Sequence, residues 1–218
     1  MRFLDRWLGR GGRKLRTDLL NHLIAVNGYR SYLEIGVRDA SENFDKVQAE
    51  LKACVDPAPV GPATFKMTSD AYFQLLAANT PETRFDLVFV DGLHIADQVE
   101  RDVVNSLRHL SERGTIVLHD VNPVSRAAQV EEYDGTTRWN GTVWKAWAKL
   151  RATEPGLSMW VVDMDEGCGV IRRGSQTCWP LPSLDYGALD YRYLRRHRRK
   201  LLNLVPPVTF FETIASVR

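Results

Sequence analysis

The sequence predicts an α/β fold: a doubly wound, mostly parallel seven-stranded sheet with helices on both faces. Three observations carry this. Short, continuously apolar runs alternate with segments of helical period, the pattern of a parallel sheet covered on both sides. The first, second, fourth and fifth of these runs end in polar residues on the same side. The last two runs are joined by a tight turn at Glu166-Gly167, which predicts an antiparallel strand near one edge.

Each element can be justified in order. Leu19, Leu20, Leu23 and Ile24 share one helical face; Thr17 is placed to cap its start and Asn27-Gly28 to end it. "SYLEIG" (31–36) is the first strand. Ser41 is expected to cap a helix carrying Phe44, Val47 and Leu51, and "LKACVD" (51–56) is the second strand. "ATFKM" (63–67) reads as the third, although "PAPVGP" before it is short for a parallel crossover. Ser69 opens a helix with Tyr72, Phe73, Leu75 and Leu76. "FDLVFVDGLH" (85–94) is a buried fourth strand and its turn. Ile95, Val99, Val103 and Leu107 then recur at helical spacing, with Gly114 expected to close that helix. "TIVLHD" (115–120) is the fifth strand. Residues 121–141 have no period, and loops of such length are usually functional. Val143, Trp144, Trp147 and Leu150 mark a further helix, and "SMWVVDMD" and "GCGVIRR" are the closing strands.

With 218 residues, 44% apolar and 26% charged, the chain has the composition of a globular protein with a sizeable core. The net charge is only +2, but its distribution is uneven. Arg2, Arg6, Arg10, Arg13, Lys14 and Arg16 crowd one end and "RYLRRHRRK" (192–200) the other. We read residues 1–28 as a basic, helical N-terminal extension, 29–173 as the main domain and 174–218 as a C-terminal extension with a basic helix. Phe3, Leu4, Trp7 and Leu8 among the first arginines are expected to pack on the domain. Three cysteines without metal-ligand spacing fit a reducing compartment, so a cytoplasmic location is expected. No apolar run reaches membrane-spanning length.

In open parallel sheets, ligands bind beyond the carboxyl ends of the strands. Glu34, Asp56, Asp91 and the pair His119-Asp120 occupy four such ends. Gly36 lets backbone approach a ligand closely. Asp56 lies at the spacing after Glu34 where an acid accepts from ribose hydroxyls. Ser69 and Asp70 are placed to meet an adenine edge. Asp91, His119 and Asp120 can hold a divalent metal or move a proton, with His94 carried over the crevice beside them.

"YLEIGVRDASENF", "CVDP", "SDAYF", "FDLVFVDGLH" and "GTIVLHDVNP" resemble the successive motifs of class I S-adenosylmethionine-dependent methyltransferases, over residues 29–173. The branch looked most alike contains small O-methyltransferases acting on sugars, antibiotics and other hydroxylated metabolites. The resemblance implies strand order 3-2-1-4-5-7-6 with the seventh strand antiparallel. It implies S-adenosylmethionine bound by Glu34, Gly36, Arg38, Asp56, Ser69, Asp70 and Asp91. It implies magnesium held by Asp91 and Asp120; on the residues themselves, Asp91, His119 and Asp120 can hold Mg2+ or Mn2+ with His94 or Asp91 taking the proton, or no metal binds and His119 or His94 is the base. His119 stands where the family has an acid, and Arg38 and Ala40 replace two glycines of its first loop; Arg38 is expected to meet the cofactor carboxylate instead. The expected acceptor is the hydroxyl of a small molecule, a sugar or another natural-product or glycan precursor. Nucleic acid is not the expected partner, and a homo-oligomer through the terminal extensions is. The rival readings are an RNA or protein methyltransferase using the basic C-terminal run, and a non-catalytic cofactor-binding domain.

Overall fold

The computed structural model describes residues 15–133, 135 and 138–216. Phe3, Leu4, Trp7, Leu8 and the first arginines lie outside the described residues. The elements are α1 (Arg16–Asn27), β1 (Ser31–Ile35), β2 (Leu51–Val55), α2 (Ser69–Asn79), β3 (Phe85–Val90), α3 (Ala96–Arg108), β4 (Leu110–Leu118), α4 (Val143–Thr153), β5 (Leu157–Val162), β6 (Cys168–Arg173), α5 (Tyr191–Leu201) and β7 (Leu204–Val205). They form one sheet in the order β2-β1-β3-β4-β6-β5-β7. Only β6 is antiparallel, to β4 on one side and β5 on the other. The expected order is therefore found, with β7 as an added edge strand parallel to β5.

Side chains alternate between the two faces, as the pleat requires. Leu33, Ile35, Val88, Val90, Ile116 and Leu118 pack against α2, α3, α4 and α5. Tyr32, Leu87, Phe89 and Val117 face the other way, against α1 and the C-terminal residues Phe210 and Phe211. The two layers are unequal: four helices cover one face, and α1 with a short C-terminal turn covers the other.

Four local expectations are corrected. The third strand is a single parallel bridge, Val55 to Phe65. Pro57, Pro59 and Pro62 lack N–H donors and leave too little chain for a crossover. The helix expected after Ser41 is only a turn, Phe44–Lys46, because the chain must reach β2 by Leu51. α3 stops at Arg108, and Gly114 lies inside β4, where a shift in register against β3 accommodates the extra residues. Finally, α1 is capped by Asp18, whose carboxylate accepts the Leu15 N–H at 2.9 Å, while Thr17 Oγ1 donates to Asn43 at 2.6 Å. Among the described residues no helix is long and apolar enough to cross a membrane.

Candidate functional site

The tips of the central strands are locked together by backbone bonds. Gly36 N–H donates to Val55 O at 2.8 Å, Asp91 N–H to Ile35 O at 2.8 Å, and His119 N–H to Val90 O at 3.1 Å. Gly36 sits at φ 88°, and a Cβ there would collide with the Asp91 carbonyl. Only glycine fits the place where the first loop presses on the turn after β3. Above these tips opens a cavity of about 740 Å³. All ten residues singled out in the sequence line it: Glu34, Gly36, Arg38, Asp56, Ser69, Asp70, Asp91, His94, His119 and Asp120.

They divide into two groups. Asp56 accepts the N–H groups of Arg38 at 3.0 Å and Ala58 at 2.7 Å, which fixes its carboxylate at the rim beside the first loop. The Arg38 side chain is exposed and bonds Glu42 at 3.0 Å. Ser69 and Asp70, at the start of α2, both accept from Gln98, which also donates to buried Asp102 at 3.0 Å. Thr68, not Ser69, caps α2 by accepting the Ala71 N–H.

Glu34 lies beneath this group, buried on the α1 side of the sheet. It accepts from Tyr32 Oη at 2.5 Å and Asn43 Nδ2 at 3.0 Å. Burial outweighs these bonds and pushes its pKa up to about 7. Between the ordinary carboxyl value and about 7, the folded protein holds a proton on Glu34 that the unfolded chain has released. Stability therefore falls as pH rises through that window, by about 3 kcal/mol for this group. Glu34→Gln should flatten that part of the stability–pH curve in urea titrations; an unchanged slope would contradict it.

The second group is a cluster of acids and imidazoles at the ends of β3 and β4. His94 Nε2 is 3.2 Å from Asp91 Oδ1, and His94 Nδ1 is 3.5 Å from Asp120 Oδ2. The ring stacks on Trp139 at 4.9 Å, and its backbone carbonyl accepts from Thr142 at 2.8 Å. A Cβ on Gly141 would strike that same carbonyl, so the loop closes tightly over His94. His119 Nδ1 lies 3.0 Å from Asp120 and 3.2 Å from Asp91, and its Nε2 lies 3.6 Å from Asp165. Burial opposes charge on His119, but these carboxylates prevail and raise its pKa well above the ordinary value. Burial also acts to lower His94, and the Asp91 hydrogen bond with the charges of Asp91 and Asp120 raises it on balance. Burial would raise Asp91; His119 and His94 together hold it well below the carboxylate range.

Sequence reasoning missed several members. Arg16, at the start of α1, places Nε 3.7 Å from Asp91 and Nη1 3.5 Å from Asp165, with Nη1 also 3.4 Å from His119 Nε2. Asp165, in the turn between β5 and β6, also accepts the Arg16 N–H at 2.8 Å. Asn140 donates to Asp120 at 2.7 Å. Local sequence carried no signal for these, because each joins the site only through the packing of a distant element. Three carboxylates (Asp91, Asp120 and Asp165) thus face two cations, Arg16 and His119, and one negative charge is left over while His94 is neutral.

Among the described residues, Asp91, His94 and Asp120 bring ligand atoms within 4.8 Å of one another. His119, the imidazole expected in this set, lies beside it, with Nδ1 3.0 Å from Asp120 and 3.2 Å from Asp91. Two carboxylates and an imidazole whose buried Nδ1 makes no hydrogen bond among the described residues form a donor set suited to a divalent ion.

Residues 6–121 match a protein family described as a methyltransferase domain. No curated protein matches the chain in sequence. Among solved structures, the fold is similar to that of an O-methyltransferase from Bacillus cereus in complex with SAH. The two are 15% identical with TM-score 0.50, over 77% of this chain and 85% of that one. It is also similar to the SAH-bound methyltransferase PaMTH1 from Podospora anserina, at 19% identity and TM-score 0.50, over 71% of this chain and 76% of that one.

Proposed function

This chain belongs to the methyltransferase-domain family, and from that premise we propose that it moves the methyl group of S-adenosylmethionine to a hydroxyl of a small molecule, a sugar or another natural-product or glycan precursor. The observation that carries the reading is the arrangement of the crevice. A glycine-tightened loop and the ribose-type acid Asp56 form one half, and the Asp91–His94–Asp120 cluster forms the other. The lining is rich in carboxylates, with Asp39, Glu42, Asp56, Asp70, Asp91 and Asp120 among them, against the cations Arg16, Arg38 and His119. Such a lining repels phosphate backbones and accepts hydrogen bonds from neutral hydroxyls, which favours a polyol over nucleic acid.

The sulfonium donor needs no activation, so the residues must hold the acceptor in line and take its proton. His94 is the proposed base. Proton uptake on its ring cancels the one uncompensated charge of the cluster, and Asp91 fixes the ring. Arg16 and His119 lie against Asp91, and Trp139 covers the imidazole face. Calorimetry with S-adenosylmethionine tests the donor site. Asp56→Ala should weaken binding by about 1–3 kcal/mol; unchanged affinity would remove Asp56 from the donor site.

The grouping of Asp91, His94 and Asp120 within 4.8 Å favours a second reading, in which these three would hold Mg2+ or Mn2+. Bound there, the ion would acidify the acceptor hydroxyl. Assay after exhaustive chelation separates the two. Retained activity is expected for the His94 base, and loss reversed by either ion would assign the cluster to a metal.

A further inference from the structure

A second concavity lies at the far edge of the sheet, and its chemistry is opposite to that of the crevice. It has a volume of about 420 Å³ and is lined by Arg195, Arg196, Arg198 and Arg199 of α5, with Leu204, Val205 and Pro206 opposite and Asp163 as its one acid. Four guanidinium groups against one carboxylate leave three positive charges uncompensated within it. α5 contains no acid, and its exposed positions, Arg192, Arg195, Arg196, Arg199 and Lys200, are all cationic. Folding does not require this charge: the helix is anchored by Leu194 and Leu201, both fully buried.

One of the arginines is already fixed. Arg198 donates to Asn122 Oδ1, to the Pro123 carbonyl at 2.8 Å and toward Tyr191 Oη at 3.4 Å. Asn122 in turn donates to Asp163 at 3.2 Å. Arg195, Arg196 and Arg199 have no hydrogen-bonded or ionic partner among the described residues. A wall with one arginine held in place and three free, across from an apolar lip, suits a compact multivalent anion. Planar guanidinium forks match phosphate oxygens in pairs.

We propose that the concavity between α5 and β7 binds a diphosphate ester. β4 and β5 run in the same direction, since β6 is antiparallel to both. The carboxyl end of β5, where Asp163 lies, is therefore on the same edge of the sheet as the acid-lined crevice. β7 stands three strands from β4, roughly 14 Å at the usual strand spacing. The same diphosphate chemistry is offered by a soluble nucleoside diphosphate conjugate and by the headgroup of a lipid-linked diphosphate.

The test uses the full chain. Inorganic pyrophosphate is titrated by calorimetry into the native protein and the Arg195→Gln/Arg199→Gln variant, with the unfolding midpoint as a control for folding. Binding to the native protein, weakened at least tenfold in the variant at an unchanged midpoint, is the expected result. Two further arms identify the source: competition by uridine diphosphate, and sedimentation with phosphatidylcholine vesicles carrying a polyprenyl diphosphate against phosphatidylcholine vesicles alone. Competition without sedimentation identifies a soluble conjugate, and sedimentation only with the vesicles carrying the diphosphate identifies a headgroup. No binding of pyrophosphate by the native protein, or equal binding by the variant, overturns the proposal.

Discussion

On the proposed role of His94 as base, His94→Gln should lower kcat for methyl transfer by about 10²–10⁴-fold, the usual contribution of a positioned base, and leave the affinity for S-adenosylhomocysteine nearly unchanged. The imidazole is held from three sides. Asp91 holds one nitrogen at 3.2 Å, Trp139 stacks on the ring, and Thr142 fixes the backbone behind it. Glutamine keeps a polar group of similar reach but cannot take a proton. The pH profile provides a second readout. A base must be neutral to act, and the carboxylates around His94 raise its pKa above the ordinary value. The rate should therefore climb with pH above about 6.5 in the native protein, and this limb should disappear in the variant. A variant with native kcat would place the proton acceptor elsewhere.

The parts of this molecule that could be read in the sequence are those set by local pattern. The strand tips were legible because a buried parallel strand must be apolar along its length, so Asp91 after "FDLVFV" and Asp120 after "TIVLH" mark where the apolar runs end. The period of α3 was legible for the same reason. Its end was not: Gly114 looks like a helix terminator, yet the chain turns at His109 and uses the glycine within β4, where a Cβ would crowd Leu110. Adjacency gave only part of the surroundings of the histidines. His119 precedes Asp120 in sequence, and its nitrogens face Asp91 and Asp165 as well as Asp120. The role of Arg16 had no local mark at all. One arginine among six basic residues near the chain start can be distinguished only once α1 lies across the sheet and its first turn meets Asp165.

That placement sets up the largest stability effect we expect. Asp91→Ala should destabilise the fold by about 3–5 kcal/mol, the range for removing one partner of a buried charge network. Asp91 is the shared counter-charge of the cluster. Its Oδ1 lies 3.2 Å from His94 and 3.2 Å from His119, and its Oδ2 is 3.7 Å from Arg16. Without it, two cations and a histidine keep only Asp120 and Asp165 inside a largely buried site. The loss should depend on pH in a definite direction. Asp91 titrates far below an unfolded aspartate, so its contribution is complete above about pH 4 and is lost as pH falls further. Native and variant stabilities should therefore differ most near neutrality and converge in acid. Asp91→Asn is the informative companion, since it keeps the volume and a hydrogen-bond acceptor but not the charge. If the charge is what holds Arg16 and His119 in place, asparagine should recover only a minor part of the loss. Recovery to native stability would mean that Asp91 serves the fold as a hydrogen-bonding group alone.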